Sequence, residues 1–283
     1  MGSIFMRFPG GKSKALTLSY DDGVEQDIRL IDIMKRNGLK GTFNINSGSY
    51  APEGKIYPEG TIHRKMSRSM CQELYLNSGM EVAVHGLTHP YLEQLPENLC
   101  TYEVLQDRKN LEADFGYIIR GMAYPFGTTS DSVVASLKQC GIAYSRTTVS
   151  TEKFTIPTDW LRLPATCHHR NPRLMELARN FVDNAFLRGP GLFYLWGHSY
   201  EFDQNLPDNN WGIIEEFAEF MGNREDIWYA TNIEIYDYIQ AYNQLIFSMD
   251  YTKVYNPTCT TLYFKTAKGE YQVKPGETVS YEF

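Results

Sequence analysis

Short runs of β-branched and aromatic residues that end in polar or turn residues alternate along this chain with stretches of helical periodicity. That alternation restricts the fold more than any other feature. The runs lie near residues 15–20 (ALTLSY), 41–46 (GTFNIN), 81–85 (EVAVH), 121–125 (GMAYP), 142–147, 161–166 (LRLPAT), 191–198 (GLFYLWGH) and 227–231. Helices are expected between them, near 24–36, 68–77, 97–115, 131–140, 172–188, 211–222 and 232–248. In the first helix Val24, Ile28, Ile31 and Met34 share a face, and Asn37 followed by Gly38 supplies the stop. Strict βα alternation calls for a mainly parallel sheet, and seven or eight such strands predict a closed or nearly closed barrel.

The last part of the chain reads differently. Residues 251–283 alternate apolar and polar positions around Lys268-Gly269 and Pro275-Gly276, the pattern of a small antiparallel β extension. So short a segment cannot bury a core by itself. The division expected is residues 1–250 as the α/β unit and 251–283 as an extension packed on it or on a partner.

Composition narrows the partners. No apolar run approaches the ~20 residues of a spanning helix, and a mean hydropathy of −0.40 with 14% aromatic residues excludes both a membrane protein and a disordered chain. The net charge of −7, without a Lys/Arg cluster, argues against nucleic acid. Five scattered cysteines, Cys71, Cys100, Cys140, Cys167 and Cys259, form no C-x-x-C pair and read as reduced thiols. The opening MGSIFMRFPGGKSK has no apolar signal core, so the sequence as given predicts a cytoplasmic location, or a secreted or periplasmic one if a signal peptide was trimmed. Oligomeric state is left open.

Chemistry concentrates at strand ends. Asp21 and Asp22 close the first run in SYDDG, and His85 and His89 follow the third in VHGLTH. In a parallel βα fold the C-terminal ends of all strands open on one face, so residues distant in sequence converge there. Two imidazoles four apart, able to face one way on a helical turn, plus one carboxylate would hold a divalent metal with open positions. Gly86 stands where a zincin would have its Glu, so the general base must come from elsewhere, and the other Asp of the pair is available.

At these residues the chain resembles the polysaccharide deacetylases with a nodulation-type chitooligosaccharide deacetylase (NodB-like) domain, carbohydrate esterase family 4. SYDDG is similar to that family's T-F-D-D-G signature, and HGLTH to its His-Ser/Thr-x-x-His motif, with Gly86 in the Ser/Thr place. AYPFG at 123–127 resembles Arg-x-Pro-Tyr/Phe-Gly, and GLFYLWGHSYEF resembles the last motif, an apolar strand ending in a histidine, here His198. The resemblance spans roughly residues 13–235 in the family's order. It implies a distorted (β/α)7 barrel and a hydrolase that removes N- or O-acetyl groups from a carbohydrate. It also implies a zinc site, with cobalt, nickel or manganese as alternatives, formed by Asp22, His85 and His89. Asp21 would then be the base, His198 the acid, and a backbone N–H near Phe126 the oxyanion donor.

The departures generate further expectations. The family's motif arginine aligns with Ala123, and Arg162 is the expected substitute that orients Asp21. Asp159, beside Trp160, is expected to tune a histidine. Tyr124, Trp196, Tyr200, His168 and His169 are expected to face the substrate, and Trp211 to offer a stacking surface. The alternatives are an amidohydrolase of the same fold acting on a cyclic or linear amide, and a non-catalytic carbohydrate-binding relative.

Overall fold

The computed structural model describes residues 3–282; Met1, Gly2 and Phe283, which belong to the opening segment and the extension as read above, lie outside them. The chain runs β1 (Phe5–Arg7), β2 (Lys14–Asp21), α1 (Asp27–Arg36), β3 (Gly41–Ile45), α2 (Arg68–Leu76), β4 (Glu81–Val84), α3 (Glu97–Phe115), β5 (Gly121–Ala123) and α4 (Asp131–Gln139). It continues with β6 (Tyr144–Ser150), β7 (Leu163–Ala165), β8 (Cys167–His168), α5 (Leu174–Asp183), β9 (Gly191–Gly197), α6 (Trp211–Met221), β10 (Ile227–Tyr229) and α7 (Asn232–Tyr242). Five short strands follow: β11 (Ile246–Phe247), β12 (Lys253–Tyr255), β13 (Leu262–Lys265), β14 (Glu270–Val273) and β15 (Thr278–Ser280).

The main sheet is parallel, in the order β7-β6-β5-β4-β3-β2-β9-β8, with β10 also paired to β2. Its two faces follow the period-two rule of strands. Leu16, Leu18 and Tyr20 of β2, Phe43 and Ile45 of β3, Val82 and Val84 of β4, and Phe193 and Leu195 of β9 point to one face. There they share one apolar cluster with residues of α1 to α6. The alternate residues, among them Ser19, Asp21, Thr42, Asn44, Glu81, Arg146 and Trp196, are equally buried and mostly polar. Their hydrogen bonds must therefore be met within the protein.

The two ends of the strand order are one stretch of chain. β7 pairs with β6 and β8 with β9, and only Thr166 separates them. Thr166 N donates to Tyr194 O at 2.8 Å, and Thr166 Oγ1 accepts from Tyr194 N at 3.0 Å.

α1 begins three residues later than its periodicity suggests. Val24 leaves the helix to form a bridge with Lys65, and Glu25 N donates to Arg64 O at 2.8 Å, which turns Ile28 outward to 49% exposure. The extension also departs from a single meander. β13 and β14 join β1, while β12 and β15 join β11, giving two three-stranded sheets that draw residues from both sides of position 250. Phe8, Val254, Leu262, Phe264, Val273 and Tyr281 pack with Ile235, Tyr238 and Ile239 of α7.

α7 is anchored under the sheet by a buried carboxylate. Thr231 and Glu234 form a capping box, and Glu81 adds acceptors to the helix start. Glu81 Oε2 accepts from Ile233 N at 3.0 Å and Thr42 Oγ1 at 2.8 Å, while Oε1 accepts from Tyr144 Oη at 2.7 Å. Burial pushes this carboxyl up to about 7 from an ordinary 4.5, with the hydrogen bonds pulling the other way. The native state thus holds the Glu81 proton more tightly than the unfolded chain, so stability falls as pH rises from about 4.5 to about 7. Asp27 and Asp107, also raised to about 7 by burial, act in the same direction. Glu81→Gln should make the denaturation midpoint less dependent on pH across that window; an unchanged slope in urea titrations at pH 5 and pH 8 would show that Glu81 is not a contributor.

Candidate metal centre and active site

Asp21 ends β2, and Asp22 follows with a φ of 88°, in the region that L side chains normally avoid. That backbone turn separates the two adjacent carboxylates. Asp21, 2% exposed, stays on the polar face of the sheet, where Oδ1 accepts from Asn44 Nδ2 at 2.8 Å and Oδ2 accepts from Arg146 Nη2. Burial would raise this carboxyl; Arg146, His85 and His198 outweigh it and hold the group below its ordinary value.

Arg146 was not singled out from sequence, although its position is explained by register. Ala123 of β5 pairs with Arg146 of β6, so the guanidinium absent at 123 enters from the adjacent strand on the same face. Arg146 is 1% exposed, donates from Nε to Ser19 Oγ at 3.3 Å, and lies over the Trp196 ring at 4.5 Å. Arg162, the expected substitute, is elsewhere: it binds Asp131 and, at 3.3 Å, Asp159. A lone arginine inside a Ser/Thr-rich strand was the signal available.

Asp22 turns toward the histidines. Burial raises its carboxyl, but a hydrogen bond from His63 and the charge of Lys65 hold it well below the usual range. His63 Nε2 is 3.3 Å from Oδ2, and Lys65 Nζ donates to Oδ1 at 3.1 Å. His85 and His89 converge on Asp22 through a loop rather than a helical turn, with Gly86 at φ 73° and His89 at φ 61°. A side chain at 86 would be strained at that φ, which accounts for glycine in place of Ser or Thr.

The tautomer of His85 matters most for metal binding. Its Nδ1 faces the Ala123 carbonyl at 2.8 Å and must donate to it. Nε2 then carries the lone pair, is buried, and has no hydrogen-bond partner among the described residues. Burial lowers the imidazole to about 4, so the ring is neutral at neutral pH. Asp107 fixes the same segment by accepting from His85 N at 3.0 Å and Ser47 N at 2.8 Å. Ligand atoms of Asp22, His85 and His89 all lie within 4.8 Å of one another, a donor set that fits zinc and its divalent neighbours.

A second cluster, His168, His198 and Glu201, has the same spacing but different chemistry. Arg170 N donates to His168 Nδ1 at 3.1 Å, which leaves the proton on Nε2, facing Glu201 Oε2 at 3.3 Å. A protonated nitrogen cannot ligate a metal. His169 Nε2 approaches the same oxygen at 3.0 Å, and His198 Nδ1 at 3.8 Å. Burial raises the Glu201 carboxyl, and the surrounding imidazoles more than reverse this, holding it far below the carboxylate range. For His198, burial disfavours the charged ring, while Glu201, Asp21 and Asp22 raise its pKa above the ordinary value. His198 Nε2 points to Asp21 Oδ2 at 3.7 Å. Glu201 therefore has the position expected of Asp159, which instead accepts from Leu161 N at 3.1 Å and pairs with Arg162.

The aromatic expectations divide. Tyr200 lies beside His63 and His198, with ring centroids 4.7 and 5.3 Å away. Phe126, 45% exposed at φ 58°, stacks on Tyr91 and meets His89 edge-on. Tyr124 is 1% exposed with its hydroxyl donated to Leu161 O, so it presents no surface to a substrate. Trp196 is buried under Arg146 and the edge of His168 and serves packing, whereas half-buried Trp211 lies against the Arg29 guanidinium and donates from Nε1 to Asp203 at 2.8 Å.

Residues 9–145 match the polysaccharide deacetylase family. That segment carries Asp21, Asp22, His85 and His89. A Mycobacterium smegmatis structure assigned to the polysaccharide deacetylases aligns at TM-score 0.58 and 16% identity over 86% of this chain and 96% of that one, a likeness of fold. The Streptomyces lividans family 4 carbohydrate esterase in complex with acetate aligns at 0.47 and 17% over 74% and 88%. The Streptococcus pyogenes deacetylase PplD in complex with acetate aligns at 0.39 and 21% over 47% of this chain; the match spans 55% of that protein. No curated protein matches the sequence. The fold and the Asp22–His85–His89 donor set are together consistent with a metal-dependent amide or ester hydrolase.

Two outcomes are expected. Arg146→Met leaves Asp21 a buried, unpaired charge and should cost ~3–5 kcal/mol in urea unfolding, whereas Arg162→Met, near the surface, should cost at most about 1 kcal/mol. Equal losses would remove Arg146 from its role. In metal analysis of protein purified without chelator, His85→Ala should lose the bound ion and His168→Ala should keep it; the reverse result would exchange the two clusters.

Proposed function

We propose that this protein is a metal-dependent deacetylase of the nodulation type that removes N- or O-acetyl groups from a carbohydrate. The observation that carries the reading is the division between adjacent carboxylates. Asp21 is held by Arg146 and Asn44 as an ionised base, and Asp22 is turned toward two histidines, one of which has an unpaired buried lone pair. The distorted (β/α)7 barrel is part of the same proposal, supported by residues 163–168 serving as both ends of the strand order.

A divalent ion on Asp22, His85 and His89, zinc or else cobalt, nickel or manganese, would polarise the acetyl carbonyl and acidify water. The chain's own groups do the rest. Asp21 takes a proton from the attacking water as its oxygen bonds to the carbonyl carbon. The backbone N–H of Phe126 is the proposed oxyanion donor. His198, whose pKa Glu201 and the Asp21 and Asp22 carboxylates raise above the ordinary value, gives its Nε2 proton to the leaving nitrogen or oxygen as the C–N or C–O bond breaks, releasing acetate. Arg146 beside Asp21 also removes the main argument for a non-catalytic relative, the missing motif arginine.

Acetate release from acetylated chitooligosaccharides and acetylated xylan tests the reading. Asp21→Asn should keep its metal and lose turnover, Asp22→Asn should lose both, and His198→Ala should slow turnover by roughly 10²–10⁴-fold with metal content intact. Parental turnover in Asp21→Asn, or no acetate from either substrate with metal bound, would reject it.

A further inference from the structure

Residues 61–67 form a strap across the metal-ligand loop. Two backbone hydrogen bonds attach it, Met66 N to Gly23 O at 2.9 Å and Glu25 N to Arg64 O at 2.8 Å. From this strap Lys65 reaches inward, and its ammonium meets three acceptors: the Asp22 carbonyl at 2.7 Å, Asn46 Oδ1 at 2.9 Å and Asp22 Oδ1 at 3.1 Å. Asn46 in turn donates from Nδ2 to His85 O at 2.6 Å and to Gly86 O at 2.9 Å. One ammonium and one amide therefore connect the two loops that deliver Asp22 and His85.

Two of the three acceptors, the Asp22 carbonyl and Asn46 Oδ1, are not among the carboxylate and imidazole atoms that converge at Asp22, His85 and His89. Lys65 need not leave when an ion binds. It would remain as a fixed positive charge on the carboxylate that serves as ligand. Such a charge repels a dication and withdraws electron density from its ligand, while its hydrogen bonds hold the left-handed Asp22 backbone in place.

We propose that Lys65 is a positioning residue of the metal centre that shares the Asp22 carboxylate with the ion, making the ion more electrophilic and less tightly held. The proposal rests on Asp22 being a ligand. Cobalt(II) titration, followed by its visible absorption and by chelator competition, provides a readout independent of turnover. The neutral variants Lys65→Met and Lys65→Gln, checked for folding by circular dichroism, should bind cobalt tighter by roughly 10-fold. They should also release acetate more slowly at saturating metal. Lys65→Arg should restore parental values. Cobalt affinity equal to or weaker than the parent's in a folded neutral variant, or turnover no lower than the parent's, overturns the proposal. An Asp22→Asn protein that binds cobalt like the parent overturns the ligand assignment itself, and so separates the two failures.

Discussion

The buried ion pair between Asp21 and Arg146 is the interaction on which the rest of the site depends. Two carboxylates adjacent in the chain cannot both be ionised out of water unless each has its own cation, because burial and mutual repulsion favour protonation. The protein solves this by geometry. A left-handed residue at Asp22 points the neighbours apart; Arg146 is the cation for Asp21 and Lys65 the cation for Asp22, with His63 adding a hydrogen bond to Asp22. Trp196 over the Arg146 guanidinium and Ser19 at its Nε keep that charge on the polar face of the sheet.

The histidines are assigned by what touches their other nitrogen. A carbonyl at Nδ1 makes His85 present a bare Nε2, the state a metal ligand needs. An N–H at Nδ1 makes His168 present a proton, which it offers to Glu201. Spacing alone groups both rings into plausible ligand sets, and the hydrogen-bond partner distinguishes them. Glu201 then gathers three imidazoles, of which only His198 also points to Asp21.

Beneath the site the polar face continues to Glu81, which ties β3, β6 and the start of α7 together. The opposite face is apolar and carries the six helices α1 to α6. The extension and the first strand close around α7, where Tyr238 Oη donates to Arg7 O at 2.6 Å and accepts from Tyr263 N at 3.1 Å. The end of the sheet that carries Asp21, Asp22 and the histidines is thus left to loops, and the other end to packing.

The sequence alone determined the order of strands and helices, because hydrophobic period is local and survives in one dimension. It also determined that Asp21, Asp22, His85 and His89 would meet, since parallel strands bring their C-terminal ends to one face. Tertiary structure decided which cation would hold Asp21. Arg146 and Arg162 are both arginines near predicted strands, and only the pairing of β5 with β6 brings residue 146 beside Ala123. It likewise replaced Asp159 with Glu201, hid Tyr124 beneath Leu161, and brought Lys65 over Asp22 from a loop with no periodicity to read. Register, tautomer and loop path depend on contacts between residues far apart in the chain, and no local pattern of side chains encodes them.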